Sequence, residues 1–440
     1  MAEFRQLSGW GRTAPTSALV LRPPSVEQVA AAIAAAGPRG LLARGAGRSY
    51  GDAAQNAGGV VLDLAAFDAV TEIGTDGSVT CGAGVLLDTL LHRIVPAGWF
   101  LPVTPGTRQV TVGGAVAADV HGKNHHRDGS LGRYITRLEL IDGLGNQHTL
   151  RPGDELFTAT VGGMGLTGVI TSVTLRLLRI GSARVAVDTW RTRDLDETMT
   201  RLIECDATQR YSVAWIDCLS GSPRLGRGVV TAGDHLPGDA RDRGRSVAAH
   251  LPRPSVPGGL PRLVGRSTVA AFNAAVHRRA PLHATQVPTG IDAFFYPLDV
   301  VAHWNRVYGP AGFVQYQFAT PDAAAVPALL RALQDAQVPV YLAVLKRFGP
   351  PGDGQLSFPI AGWTLALDIP AGFPGLGAAL DAADHRVAES GGRVYLAKDA
   401  RIRPQLVPAM YPQFAKWQMV RAAADPNGVF CSDLARRVHL

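Results

Sequence analysis

The chain has 440 residues, of which 46% are hydrophobic and 18% are charged, and its formal net charge is +7. This length and this balance exclude a disordered or fibrous protein and predict a globular protein with two or three domains. A positive charge of this size favours anionic partners, but no motif of basic and aromatic residues accompanies it, so we expect no nucleic-acid partner.

The cysteines and the terminal segments limit where the protein works. Cysteine occurs at four positions, Cys81, Cys205, Cys218 and Cys431. They lack the spacing of zinc ligands and are too few to cross-link a chain of this length, so free thiols are expected. We find no apolar core of a signal peptide and no run of about 18 apolar residues that could span a membrane. We therefore expect a cytoplasmic protein or one peripheral to the cell membrane, with the side left open.

The first part of the chain predicts mixed strands and helices. SALVLRPPSVEQVAAAIAAA at 17–36 is typical of a strand followed by a helix that Ser25 caps. The next strand leads into a glycine-rich loop at 43–54, ARGAGRSYGDAA, and a second glycine-rich segment follows at 104–126, TPGTRQVTVGGAVAADVHGKNHH. Because glycine lets backbone N–H groups approach phosphate oxygens, the two segments together predict a cradle for a dinucleotide.

The second part of the chain has another pattern, in which strands alternate with helices, and it predicts an antiparallel sheet domain that covers the substrate. We expect an α+β fold with a cofactor domain over 1–182, a substrate domain over 183–392 and a return to the cofactor domain over 393–440. The segment 224–266 contains eight arginines, three acidic residues and many prolines. It predicts a long loop, either a mobile lid over the site or a solvated insertion without a role.

The first glycine loop does not have the spacing of a Rossmann fingerprint. GAGRSYG has glycines at positions 1, 3 and 7, one residue further apart than G-x-G-x-x-G requires. We therefore expect a different cradle, in which Gly45, Gly47 and Gly51 turn the chain around a pyrophosphate. Either Arg44 or Arg48 would supply the positive charge.

The motif HGKNHH in the second segment resembles a metal cluster at first sight, because it contains His121, His125 and His126. Adjacent histidines cannot share one helical face, and no carboxylate is grouped with them, so we expect no metal. Instead, His121 and Lys123 are expected beside a cofactor ring as hydrogen-bond donors, and Lys123 is also a candidate contact for an anionic substrate. The two remaining histidines are expected to pack within the loop.

Two lysines end apolar strands in a chain where lysine is scarce. Lys346 ends VYLAVLK, and Lys398 ends RVYLAK. A lysine that is partly desolvated at such a position acts either as a base, after its pKa falls, or as a fixed positive charge beside a reduced flavin. The alternative for both is a surface lysine whose stem packs on apolar neighbours.

Eight segments together carry a resemblance that extends from Gly9 to the end of the chain. They are ARGAGRSYGD, PGTRQVTVGGAVAADVHGKNHH, ELFTATVGGMGLTG, GPAGFVQYQF, VLKRFGP, SFPIAGW, YLAKDAR and MYPQF. In this order they resemble the decaprenylphosphoryl-β-D-ribose 2'-oxidase family, which lies within the wider vanillyl-alcohol-oxidase or PCMH type of FAD proteins. The resemblance implies a cofactor domain built from both ends of the chain and a substrate domain between them.

The resemblance also implies roles for individual residues. Catalysis is expected from Tyr50, His121, Lys346 and Lys398. The sugar is expected to contact Tyr50, Lys123, Gln317, Lys346 and Lys398. FAD is expected to contact Arg44, Gly45, Ala46, Gly47, Arg48, Ser49, Tyr50, Gly51, Asp52, Ala53, Ala54, Gly106, Thr111, Val112, Gly113, Gly114, Ala118, His121, Ile170 and Tyr395.

The reaction implied by the resemblance is oxidation of the 2'-hydroxyl of a lipid-linked ribose phosphate to a keto sugar. A separate NAD(P)H-dependent reductase would then complete an epimerisation to the arabinose donor for cell-wall arabinan. An oxidase of a soluble alditol, aldonolactone or nucleoside is the alternative, and a binding protein without turnover is a further one. The basic segment 224–266 suggests contact with an acidic membrane surface.

Two positions depart from the patterns of related proteins. Many oxidases of the wider fold link the flavin to a histidine in the first loop, where this chain has Arg48, so FAD is expected to bind without a covalent bond. The position that matches a family cysteine is Ala366, which predicts resistance to inhibitors that trap this thiol. The resemblance implies that this cysteine is a site of covalent inhibition and takes no part in the chemistry, so catalysis is expected without it.

Overall fold

The structure is a computed structural model that describes residues 2–238, 253–259 and 261–440. The chain begins with a mixed four-stranded sheet in which two strands pair in parallel with a third. Parallel neighbours need a crossover, and the helix α1 supplies it; the Ser25 hydroxyl accepts a hydrogen bond from the Gln28 N–H at 3.4 Å, as the sequence predicts for a helix cap. The elements are β1 (Ala2–Leu7), β2 (Thr16–Leu21), α1 (Val26–Ala34), β3 (Leu41–Arg44) and β4 (Val60–Asp63).

An antiparallel four-stranded sheet follows, in the order β5-β9-β7-β8, with a short two-stranded ribbon of β6 and β10 at its side. The second glycine-rich segment crosses between these strands and contains two short helices, α3 and α4. The elements are β5 (Ser78–Gly82), α2 (Leu87–Ile94), β6 (Trp99–Phe100), α3 (Val112–Ala117), α4 (His125–Asp128), β7 (Ile135–Ile141), β8 (Gln147–Leu150), α5 (Glu155–Thr160), β9 (Val169–Arg176) and β10 (Leu178–Arg179).

The rest of the chain forms an antiparallel sheet of eight strands among the described residues, in the order β14-β11-β13-β12-β16-β17-β15-β18. The helices α6, α9 and α10 contribute apolar side chains to its core. The elements are β11 (Arg184–Thr192), α6 (Leu195–Thr208), β12 (Tyr211–Ile216), β13 (Gly228–His235), α7 (Arg266–Arg279), β14 (His283–Gly290), α8 (Ile291–Phe295), β15 (Phe313–Thr320), α9 (Ala325–Asp335), β16 (Leu342–Phe348), β17 (Gly362–Pro370), α10 (Leu376–Glu389) and β18 (Arg393–Val394). The predicted α+β class with an antiparallel-sheet domain is confirmed.

The prediction of a long loop over 224–266 is wrong for part of this segment. Residues 228–235 form β13, which pairs with β11 on one side and β12 on the other, and α7 begins at Arg266. Val230 and Ala232 are fully buried on one face of this strand. The strand was not predicted because arginine and proline are frequent in the whole segment, and its short alternation of apolar and polar residues was not recognised. Residues 239–252 and 260, also part of the predicted lid, lie outside the described residues.

The end of the chain returns to the first glycine loop. Phe430 forms a parallel bridge with Leu41 of β3, beyond the helices α11 (Val407–Met410) and α12 (Phe414–Ala424). In the last helix, α13 (Asp433–Val438), the guanidinium of Arg437 donates to both carboxylate oxygens of Asp52 at 2.9 and 2.8 Å and to Asp399 at 2.7 Å. One side chain thus joins the first loop to the segment that follows Lys398. The domain limits at residues 182 and 392 stay a prediction.

Two expectations from the sequence concern free thiols and membrane-spanning helices, and both can be compared with the described part of the chain. All four cysteines are free thiols, as predicted. Within the described ranges, none of the helices has the length and apolarity that crossing a membrane requires.

Replacement of Arg437 by glutamine tests the link between the chain end and the first loop. The change leaves Asp399, which is 3% exposed, without its cationic partner. Loss of one member of a buried ion pair costs about 3–5 kcal/mol, and since Arg437 is a quarter exposed we expect about 2 kcal/mol. Urea denaturation followed by circular dichroism measures the change in the free energy of unfolding.

Arg403→Gln is the matched control, because Arg403 pairs with Asp381 at the surface and is 62% exposed. Its loss should cost about 0–1 kcal/mol. Equal destabilisation by the two substitutions would contradict the role given to Arg437.

Candidate active site

A cavity of about 300 Å³ lies between the two glycine-rich segments and the large sheet. Its walls come from parts of the chain that are distant in sequence. The first loop contributes the run 43–50 together with Ala53 and Ala54, and the second contributes Gly106, Thr111, Gly113, Gly114, Ala118 and His121, among others. Strands β15, β16 and β17 contribute Gln315, Gln317, Leu342, Val344, Lys346 and Ala366, and the segment after β18 contributes Tyr395, Ala397 and Lys398.

The two glycine-rich segments touch directly, and this contact depends on glycine. A Cβ atom at Gly45 would lie 2.0 Å from Oγ1 of Thr111, which caps α3 by accepting from the Gly114 N–H at 3.2 Å. Gly47 has a φ of +63°, and a Cβ there would meet the Arg44 guanidinium at 2.2 Å. The predicted cradle is therefore two loops in close contact, with the cavity along their shared edge.

The two arginines of the first loop differ in what they do. Arg44 donates to the carbonyl oxygens of Ala54 at 2.5 Å and Ser8 at 2.9 Å, so its guanidinium braces the loop. Arg48 lies over the ring of Trp10, with its Cζ atom 3.9 Å from the ring centroid. Burial lowers the pKa of both groups. Both arginines line the cavity and can present positive charge to an anionic ligand.

Three residues predicted to contact the cofactor are not among those that line the cavity, so their contacts stay a prediction. The Asp52 carboxylate pairs with Arg437. Val112, the first residue of α3, is fully buried. Gly51 packs against the chain, because a Cβ there would lie 1.7 Å from the Asp399 carbonyl oxygen. These residues support the loops, and their neighbours in sequence form the lining.

Lys123 is also placed differently from the prediction. Its Nζ atom donates to the Phe294 carbonyl oxygen and lies 4.2 Å from the centroid of the Phe294 ring, and the residue is not part of the cavity lining. Burial lowers the pKa of Lys123 to about 7. The side chain thus fixes the second loop to α8 and does not reach the predicted substrate position.

The other two histidines of the HGKNHH motif pack within the loop, as the sequence analysis expects. The His125 ring lies 4.4 Å from Phe348, and its Nδ1 accepts from the Gly349 N–H at 3.2 Å. His126 contacts the carbonyl oxygen of Gln209 through Nε2 at 3.1 Å. Among the residues that the structure describes, no group of three or more His, Cys, Asp or Glu side chains is arranged to hold a metal ion.

His121 lines the cavity from the second glycine-rich segment and contacts side chains of the large sheet. Its Nε2 is 3.0 Å from the side-chain nitrogen of Gln317, and its Nδ1 is 3.3 Å from Nζ of Lys346. Burial holds the pKa of His121 well below its usual value, so the imidazole is neutral. Burial also lowers the pKa of Lys346, to about 8. The structure therefore brings together three of the predicted site residues.

Lys398 forms a second group beside them. Its Nζ atom lies 3.7 Å from the centroid of the Tyr50 ring. Burial lowers the pKa of Lys398, and the carboxylate of Asp368 opposes this decrease. Asp368 is 1% exposed and accepts a hydrogen bond from Gln315 at 2.5 Å. The sequence analysis missed Asp368, although it stands two positions after Ala366 and period-2 alternation places both on one face of β17.

The remaining predicted cofactor residues complete the cavity wall. The Tyr395 hydroxyl donates to the Ala118 carbonyl oxygen at 2.7 Å, and its ring stacks on Phe358 at 4.4 Å. Ile170 reaches the wall from β9. Small and apolar side chains thus face the same space as the two arginines. A flat aromatic ring system attached to a diphosphate fits such a lining, so the residues present are those that a flavin dinucleotide needs.

Comparison with known families agrees with this chemistry. The family described as FAD binding domain matches residues 17–151, and the family described as D-arabinono-1,4-lactone oxidase matches residues 379–438. Both matched ranges contribute residues to the cavity lining, the first through the two glycine-rich segments and the second through Tyr395, Ala397 and Lys398. The protein is an FAD-dependent oxidoreductase.

Comparison with whole proteins is more specific. Decaprenylphosphoryl-beta-D-ribose oxidase of Mycolicibacterium smegmatis is 40% identical over 454 residues, which cover 99% of this chain and 98% of that protein. L-gulono-1,4-lactone dehydrogenase of Mycobacterium tuberculosis is 25% identical over 98% of both chains, and alditol oxidase of a Streptomyces species is 31% identical over 39% of this chain and 41% of its own. The chain belongs to the decaprenylphosphoryl-β-D-ribose oxidase family.

Replacement of Asp368 by asparagine tests its effect on Lys398. Because the carboxylate favours the charged form of Lys398, its removal should lower the pKa of that lysine by about one unit or more. We expect the limb of the pH profile that reports Lys398 to move to lower pH. The measurement is the rate of flavin reduction by substrate between pH 6 and 10.

Asp384→Asn provides the control, since Asp384 is also fully buried but pairs with Arg401. This substitution should leave the limb in place. A profile that is the same for Asp368→Asn and the unchanged protein would rule out the proposed influence of Asp368.

Proposed function

We propose that the protein oxidises the 2'-hydroxyl of a polyprenylphosphoryl-β-D-ribose to the 2'-keto sugar, the first half of an epimerisation. The observation that carries this proposal is the polar part of the cavity wall, where Lys346 and Gln317 of the large sheet contact His121 of the second glycine segment and Lys398 lines the same cavity. The relative that matches 99% of this chain is named for oxidation of such a sugar. A hydroxyl placed in this cavity has both a base and a positive charge within its walls.

The residues of the chain supply binding and proton transfer. FAD, when bound along the two loops, supplies the acceptor for the hydride that leaves the carbon bearing the hydroxyl. The hydroxyl proton passes to Lys346 or Lys398, and the lysine that does not take it provides positive charge. Neutral His121 and Gln317 orient the reacting groups through hydrogen bonds. Tyr50 closes one side of the site beneath Lys398. Since Arg48 stands in the first loop, we propose that FAD binds without a covalent bond.

Two partners follow from this chemistry as parts of the same proposal. The keto sugar needs a hydride donor to complete the epimerisation, which an NAD(P)H-dependent reductase would provide. A lipid-linked substrate is collected at a membrane, and peripheral contact is supported by apolar side chains near the cavity: Leu298 lines it and is 40% exposed, and Val300 is 62% exposed. The arginines of segment 224–266 would add attraction to acidic lipids.

The alternative is oxidation of a soluble alditol or aldonolactone. It is favoured by the D-arabinono-1,4-lactone oxidase match at residues 379–438, the part of the chain that contains Lys398, and by the relatives named for alditols and gulonolactone. The two candidates differ in whether the substrate has a lipid phosphate tail. Substrate tests therefore separate them directly.

Anaerobic mixing of the FAD-loaded protein with candidate alcohols tests the substrate. We expect farnesylphosphoryl-β-D-ribose to bleach the flavin absorbance, because the cavity has a base for the hydroxyl, and the exposed apolar side chains of Leu298 and Val300 offer a surface for the prenyl tail. Free ribose, xylitol and L-gulono-1,4-lactone serve as controls and should leave the absorbance unchanged. Bleaching by a soluble polyol or lactone but not by the lipid-linked sugar would overturn the proposal in favour of the alternative.

Replacement of Lys398 by methionine tests the contribution of its charge or basicity. Methionine keeps the unbranched stem and lacks only the terminal ammonium, so FAD should still bind, whereas flavin reduction by the ribose substrate should slow by roughly 10²–10⁴-fold. Stopped-flow absorbance gives the rate. Lys416→Met, at an exposed lysine that pairs with Glu155, should react at the normal rate. If the Lys398 variant binds FAD and is reduced at the normal rate, Lys398 has no part in the mechanism.

A further inference from the structure

Thr364 has no role in the reaction described so far, yet it begins a chain of hydrogen bonds that ends at a lysine of the cavity. The chain runs from Thr364 on β17 through Gln317 on β15 and His121 in the second glycine segment to Lys346 on β16. Thr364 is fully buried and Gln317 is 3% exposed. Water therefore does not compete with the hydrogen bonds of Thr364, and the direction of each bond in the chain follows from them.

The first step fixes the orientation of the Gln317 amide. The Thr364 hydroxyl lies 2.8 Å from the Phe318 carbonyl oxygen, which can only accept, so the single hydroxyl hydrogen is donated there. The hydroxyl oxygen then accepts from the group 3.1 Å away on Gln317, which must be the amide nitrogen. The donor end of the Gln317 amide therefore faces His121.

The second step fixes the tautomer of His121. The Gln317 amide nitrogen has a second hydrogen, and Nε2 of His121 lies 3.0 Å from it. Nε2 is consequently an acceptor. Burial keeps the ring neutral, so its one hydrogen is on Nδ1, which faces Lys346 at 3.3 Å.

The third step distinguishes the two lysines. An Nδ1–H group can donate to Lys346 only if the lysine is a free amine with a lone pair. Among the described residues, the titratable groups whose pKa values the charge of Lys346 affects are His121, Lys123, His125 and Lys398, and none of these four carries a negative charge. Lys398, in contrast, has the carboxylate of Asp368 beside it.

We propose that Lys346 is the general base of the oxidation, and that Thr364 and Gln317 are positioning residues that hold it as a free amine through the tautomer of His121. The substrate O–H bond breaks and its proton passes to the Lys346 nitrogen, while the C–H hydride passes to FAD and the C–O bond becomes double. Lys398 provides the positive charge of the site, and a separate electron acceptor reoxidises the flavin. The inference rests on alcohol oxidation under the proposed function but does not depend on the lipid tail.

The test compares Thr364→Val, which removes the hydroxyl at nearly constant shape, with Thr364→Ser, which keeps it. In the valine variant the Gln317 amide is free to turn, its oxygen accepts from His121 Nε2–H, and Nδ1 becomes an acceptor that favours protonated Lys346.

In FAD-loaded wild type, the acid limb of the kcat/KM profile for farnesylphosphoryl-β-D-ribose is expected near pH 8. It should move up by about one unit in Thr364→Val, so that kcat/KM at pH 7 falls about tenfold and recovers at high pH. Thr364→Ser should retain the wild-type profile.

Nitrogen-15 NMR of histidine in the same FAD-loaded proteins gives a second readout that needs no turnover. We expect His121 as the Nδ1–H tautomer in wild type and Thr364→Ser, and as the Nε2–H tautomer in Thr364→Val. A profile that does not move, or that falls equally at every pH, overturns the inference, as does one tautomer in all three proteins. If wild type is not reduced by the ribose substrate, the proposed function fails and the NMR result alone decides the inference.

Discussion

Burial of strands β15 and β17 on both faces is the constraint from which the site follows. A polar side chain on such a strand must find a hydrogen-bond partner or face a ligand, because an unpaired buried polar group is costly. Gln315, Gln317, Thr364 and Asp368 all lie on these two strands and are at least nine-tenths buried. They are paired with one another or with His121, which makes the sheet face a rigid support for the two lysines.

The opposite wall depends on close backbone contact. The two glycine segments approach each other at Gly45 and Thr111, and the last helix holds the first loop from behind through Arg437. Both ends of the chain therefore shape the wall that contains the glycine loops, and strands from the middle of the chain shape the facing wall. This division lets one cavity combine a loop cradle that suits FAD with polar groups from a separate sheet.

Features set by short runs of sequence could be predicted, and features set by pairing between distant strands could not. The glycine loops, the two lysines and His121 carry local signals, and each contributes to the cavity lining. The expected strand ends are wrong in detail, because Lys346 lies inside β16 and Lys398 lies four residues after β18. The roles of Asp368 and Thr364 depend on the strand register that places them beside Gln315 and Gln317, and this register could not be predicted from the sequence.

Lys123 was misplaced because the direction of a side chain in a loop depends on what packs on it, here Phe294. Strand β13 was missed because the surrounding arginines and prolines hid its short alternating pattern.

We propose above that the cavity positions carbon 2 of a lipid-linked ribose for oxidation by bound FAD. The deuterium isotope effect on anaerobic flavin reduction tests this position, with farnesylphosphoryl-β-D-ribose labelled separately at carbons 1, 2 and 3. Reduction should slow several-fold when deuterium is at carbon 2 and should be unchanged by a label at carbon 1 or 3. Slowing by a label at carbon 1 or 3 would contradict this position. So would the absence of slowing by the label at carbon 2, together with a product that is oxidised at another carbon.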